Sequence, residues 1–178
     1  MDMHELKQKL QNHFTDGLVT IVGCGLSSAE GLPGMAELAE YLRNEIPLLV
    51  KNENLDLWYN IVDLLNEGKT IEQAMITCPP SPDLEEYIIT KTADLFLHHE
   101  SNVLNAVIKG DRTLRFTKLV PHILKSATGI PVITTNYDRL IEMAVEMAGL
   151  GVDTLFVGHH YGVLNEKESK MSFCRSYI

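Results

Sequence analysis

The sequence predicts an α/β domain, a parallel sheet carrying a mostly helical insertion. Three observations lead there. Val19–Val22 is a short β-branched run that reads as a buried strand, and Val132–Thr135 reads as a second strand. The first is followed by Gly23-Cys24-Gly25 and then by helical spacing from Met35. Between the two strands, from about residue 48 to about residue 128, apolar residues recur at helical intervals.

The chain has 178 residues, enough for one domain with its own core. Its net charge of -9 argues against a general nucleic-acid surface, which needs a basic patch. No apolar run approaches the ~20 residues that span a bilayer. Met1-Asp2-Met3-His4-Glu5 lacks the basic start and apolar centre of a signal peptide. The expected location is therefore cytoplasmic, with no membrane partner and no direct nucleic-acid binding. Cys24, Cys78 and Cys174 are far apart and form no C-x-x-C pair, so neither a disulfide framework nor a metal site is expected.

In chain order, Leu6, Leu10 and Phe14 give a first helix, closed by Asp16-Gly17. The first strand and the glycine stretch follow. A helix runs from about 35 to 44, and Ile46-Pro47 is expected to end it. Leu55, Trp58, Ile61, Val62 and Leu65 mark an amphipathic helix closed by Glu67-Gly68. Thr70-Ile71-Glu72-Gln73 opens the next. Cys78-Pro79-Pro80-Ser81-Pro82 is a rigid connector, and Asp83 begins the helical run from 84 to 108. Leu114–Lys125 is another amphipathic helix. Gly129-Ile130-Pro131 turns the chain into the second strand. Arg139–Met147 is helical and ends at Gly149 and Gly151, and Asp153–Val157 is expected to be a third strand. His98 and His99 point about 100° apart on a helix and are expected to be surface or half-buried histidines, not a metal pair.

Gly23-Cys24-Gly25 lets the backbone turn tightly and a phosphate approach a helix N-terminus. The same pair also fits an ordinary strand-to-helix turn. Gly31 stands six residues after Gly25, not the three of the usual dinucleotide fingerprint. Asn136-Tyr137-Asp138 sits at the C-terminal end of the second strand, where open parallel sheets bind ligands. By itself it also fits a polar turn satisfying local backbone groups. No G-x-x-x-x-G-K-[ST] is present, which argues against a P-loop kinase or ATPase.

Gly23, Gly25, Ser27, Gly31, Leu32 and Pro33 match the G-x-G-x-S, three residues, G-[IL]-P pattern of sirtuins, NAD-consuming deacylases. Thr134-Thr135-Asn136-Tyr137-Asp138 resembles their T-Q-N-x-D element. Its T-T-N-[YF]-D form is similar to the sirtuin-like domains of bacterial defence proteins, many of which degrade NAD. The motifs cover about a tenth of the chain but bracket most of it. The resemblance implies a Rossmann-type, sirtuin-like (DHS-like) NAD-binding fold over residues 1–178, cut short at its C-terminus. It implies NAD or ADP-ribose as ligand. Gly23, Cys24, Gly25, Ser27, Gly31, Thr135, Asn136 and Asp138 are then the binding residues. It gives Asn136 the catalytic role, holding a ribose hydroxyl or a water beside an oxocarbenium-like centre. It gives Asp138 the nicotinamide carboxamide.

The implied function is NAD hydrolysis, as the effector part of a bacterial defence protein with a C-terminal sensor domain or partner and a possible homo-oligomer. The alternatives are an NAD-dependent protein deacylase and a non-catalytic NAD or ADP-ribose sensor. The four-cysteine zinc site of many sirtuins is missing, so no zinc is expected. Gly34, Met35 and Ala36 stand where deacylases carry Asp, Phe and Arg, which weakens the deacylase reading. The family's His-Gly base is also missing. His160, in Gly158-His159-His160-Tyr161-Gly162, is a weak candidate, and the chain as given is expected to hydrolyse NAD poorly.

Overall fold

The computed structural model describes residues 2–13, 17–123, 129–157 and 162–167. Its elements run α1 (Met3–Gln11), β1 (Thr20–Val22), α2 (Cys24–Ala29), α3 (Met35–Leu49), α4 (Glu53–Asn66), α5 (Ile71–Thr77), α6 (Pro82–Ile108), α7 (Arg115–Ile123), β2 (Val132–Thr134), α8 (Leu140–Met147), β3 (Phe156–Val157) and β4 (Val163–Leu164). The class is α/β and mostly helical, and every described element between β1 and β2 is a helix.

β1 and β2 pair in parallel, with Thr20 opposite Val132, Ile21 opposite Ile133 and Val22 opposite Thr134. Successive side chains on a strand face opposite ways. Val22 and Val132 therefore pack on the core, while Ile21 and Ile133 stand together on the outer face, 79% and 54% exposed. This corrects the expectation of a buried strand at 19–22. Among the described residues helices cover one face of this pair, so alternate residues of β1 stay in solvent. The third strand also differs from expectation. Only Phe156–Val157 is extended, and it pairs antiparallel with β4, not with β1 or β2. Leu155 takes a positive φ of 63°, and its N–H donates to Asp153 Oδ1 at 2.9 Å. That turn breaks the run after Thr154.

Two apolar clusters hold the helices. One joins Val22 and Leu32 to Val103 and Val107 of α6, Phe116 and Val120 of α7, and Leu140, Ile141 and Ala144 of α8. The other joins Leu38, Leu42 and Ile46 of α3 to Trp58 and Ile61 of α4, Ile71 and Ala74 of α5, and Leu84 and Ile88 of α6. α6 has 27 residues, about 40 Å of helix, and so reaches both. Phe96, near its middle, packs on each cluster.

The caps follow the sequence. Ser81 Oγ accepts the Leu84 N–H at 3.2 Å, with Pro82 at the first helical position. Thr70 and Gln73 form a reciprocal capping box for α5. α3 runs past Pro47 to Leu49, where the sequence suggested a stop. Proline forfeits one backbone bond inside a helix. Here that loss falls in the last turn, and Ile46 and Val50, 0% and 4% exposed, anchor the turn on both sides of it.

Candidate functional site

The two motif segments leave adjacent strands at their C-terminal ends and meet there. Gly23 follows β1 and is the N-cap of α2, with extended backbone at φ −115° and ψ −175°. Ser27 lies in the second turn of α2 and is buried. Asn136 follows β2, its N–H donating to Thr134 Oγ1 at 3.0 Å. Its side-chain Nδ2 donates to Gly23 O at 3.1 Å and to Ser27 Oγ at 2.7 Å. Ser27 Oγ in turn donates to Asp138 Oδ2 at 2.6 Å. The other carboxylate oxygen, Oδ1, accepts the Leu140 N–H at 3.2 Å, at the start of α8. Residues more than a hundred positions apart thus form one hydrogen-bonded chain.

The remaining expected residues fall around this chain in different ways. Cys24 and Gly25 form the exposed first turn of α2 beside it. Thr135 is exposed on the loop before Asn136. Neither Gly23 nor Gly25 takes a left-handed conformation, and a Cβ at either would meet nothing within 4 Å. The tight turn expected of Gly23 and Gly25 is therefore not what needs glycine here. Gly31 does need it. It has φ +91° and closes α2 in a Schellman motif, with Gly31 N–H bonded to Ser28 O and Leu32 N–H to Ser27 O, both at 3.0 Å. It stands at the opposite end of α2 from Gly23. His159 and His160 lie outside the described residues.

Three supporting residues escaped the sequence reading. Glu30, 2% exposed, pairs with the Arg112 guanidinium and accepts the Arg115 N–H at 2.7 Å at the start of α7. A buried carboxylate is tolerable only with such partners. This clamp ties the end of α2 to the segment between α6 and α7. The available signal was a lone acid between Ala29 and the apolar Leu32-Pro33, since such a group needs a cation. Nothing local identifies Arg112 as that cation. Glu100 of α6 accepts the Arg139 N–H at 2.6 Å, just ahead of α8. It holds the loop after Asp138 against α6.

His98 and His99 meet edge to face, with ring centroids 5.7 Å apart, and His98 Nε2 lies 3.1 Å from Asn102 Nδ2. Among the described residues no group of three or more His, Cys, Asp or Glu is placed to share a metal ion. No helix among them is long and apolar enough to cross a membrane. A separate cleft of about 400 Å³, lined by Leu49, Val50, Asn54, Glu86, Tyr87 and Thr90, shares no residue with the motif segments. Comparison with protein-family models, curated proteins and solved structures gave no match.

Proposed function

We propose that the residues gathered at the C-terminal ends of β1 and β2 bind NAD or ADP-ribose, and that the reaction there is cleavage of the bond between nicotinamide and ribose. The observation that carries this reading is the Asn136–Ser27–Asp138 chain, which joins both motifs at 2.6–2.7 Å. Two turn-like segments serving only local backbone needs have no reason to share one buried hydroxyl. The parallel β1–β2 pair, with a helix after each strand, supports a Rossmann-type arrangement around it. The open space over Gly23 and Gly25 supports the close approach of a ligand's phosphates.

Loss of nicotinamide leaves positive charge on the ribose carbon and its ring oxygen. The Asn136 carboxamide would hold a ribose hydroxyl or a water beside that carbon. The Asp138 carboxylate, fixed by Ser27 and Leu140, would stabilise cationic character or hold the departing carboxamide. The T-T-N-Y-D form of the second motif extends the proposal to an effector of a bacterial defence protein.

Asn136→Ala tests the reaction. Interactions made mainly in the transition state govern turnover, and those made equally in both states govern affinity. Nicotinamide release from NAD is expected to fall about 10²–10³-fold, while ADP-ribose affinity falls by no more than about tenfold. Nicotinamide release that is unchanged in Asn136→Ala would contradict this reading.

A further inference from the structure

The hydrogen-bond chain fixes where its protons lie. The Gly23 carbonyl can only accept, so the Asn136 atom 3.1 Å from it is the amide nitrogen. The second hydrogen of that nitrogen goes to Ser27 Oγ at 2.7 Å. A serine hydroxyl has one proton. That proton points to Asp138 Oδ2, which accepts it at 2.6 Å. Both hydrogens of Asn136 and the one proton of Ser27 are thereby engaged within the protein. Asn136 Oδ1, an acceptor, makes no bond to the described residues.

We propose that Ser27 is a positioning residue that locks the Asn136 carboxamide with its oxygen toward the ligand. The group bound at Asn136 is then a hydrogen-bond donor, a ribose hydroxyl, and never a phosphate. A phosphate oxygen accepts and would face another acceptor there. Ser27 itself is only 6% exposed, with its proton engaged, and has none to offer a ligand. The ligand is therefore oriented with a ribose at Asn136. This assignment rests on the nucleotide-site reading for the ligand, but not for the proton arrangement.

Two measurements test it. The first uses the ligand-free protein labelled with ¹⁵N. The Asn136 side-chain NH₂ should exchange with solvent at least about tenfold more slowly than an exposed asparagine amide, because both hydrogens are bonded. Ser27→Ala should abolish the protection of the hydrogen that faces Ser27 while the protein stays folded, since alanine suits a helix at least as well as serine. An unprotected NH₂ in the wild-type protein would overturn the arrangement whatever the ligand.

The second compares ADP-ribose with ADP, which lacks the terminal ribose. Ser27→Ala and Asn136→Ala should each weaken ADP-ribose about tenfold, and the double variant about tenfold again rather than about a hundredfold, because the two act through one contact. ADP affinity should not change. Additive losses would show that Ser27 touches the ligand, and an equal loss for ADP would show that Asn136 does not hold the terminal ribose; either would overturn the proposal. If neither ligand binds the wild-type protein, the nucleotide reading fails and the ligand orientation falls with it, while the exchange measurement still decides the role of Ser27.

Discussion

Gly25→Trp is expected to reduce ADP-ribose affinity by about a hundredfold or more, while the ligand-free protein melts within a few degrees of the wild type. The reason lies in what surrounds Gly25. It sits in the first turn of α2 with no positive φ, and a Cβ there meets no atom within 4 Å. The fold therefore makes no demand for glycine at this position. A helical alanine is in general more stable than glycine by about 0.5–1 kcal/mol, so Gly25→Ala should leave the free protein as stable as the wild type or slightly more so. Under the proposed function the empty volume belongs to the ligand, and an indole would fill it. Unchanged affinity in Gly25→Trp would show that the phosphates lie elsewhere. A large loss of stability in Gly25→Ala would show that the glycine serves the fold. Thermal melts of the free proteins and calorimetric titrations separate the two.

Trp58→Ala should destabilise the protein by about 3–5 kcal/mol, a large share of the roughly 5–15 kcal/mol typical of a domain. Trp58 is fully buried on α4, in the cluster shared with α3, α5 and α6. Its indole Nε1 has no hydrogen-bond partner among the described residues, so its removal costs packing and leaves a cavity but breaks no bond. Trp58→Phe keeps most of the apolar volume and deletes the unpartnered donor. It should cost well under half as much as the alanine change. Urea unfolding of both variants measures the difference. Trp58 belongs to neither motif, so the fraction of Trp58→Phe that folds should bind ADP-ribose like the wild type. Equal costs for the two variants would mean that the ring is held by something other than apolar packing.

The parts of the fold that were legible in the sequence are those specified locally. The β-branched runs at 19–22 and 132–135 gave the strands Thr20–Val22 and Val132–Thr134, and Thr70-Ile71-Glu72-Gln73 opened a helix as expected, whereas Ser81 and Pro82, read as part of a rigid connector, instead cap and begin α6. The meeting of Gly23 with Asn136 and Asp138 was legible through a general property of parallel sheets, that ligands gather at strand C-termini. What was not legible depends on partners distant in sequence. Pro47 stays in a helix because Ile46 and Val50 are held by α4–α6, which the local proline rule cannot register. The exposure of Ile21 and Ile133 depends on which layers cover the sheet, and a β-branched residue has the same local preference on either face. Glu30 finds Arg112 across 82 residues, and no spacing rule links them. The resemblance makes Ser27 a binding residue, and its place in the second turn of α2 points its hydroxyl to Asn136 and Asp138.

The convergence of both motifs on a single ligand is tested most directly by titrating ADP-ribose into ¹⁵N-labelled protein and mapping which backbone amides shift. Saturable changes are expected at Gly23, Cys24, Gly25, Ser27, Asn136 and Asp138, with residues lining the α3–α4–α6 cleft, such as Glu86 and Thr90, unaffected. Shifts confined to that cleft, or no shifts at millimolar ligand in the folded protein, would contradict it.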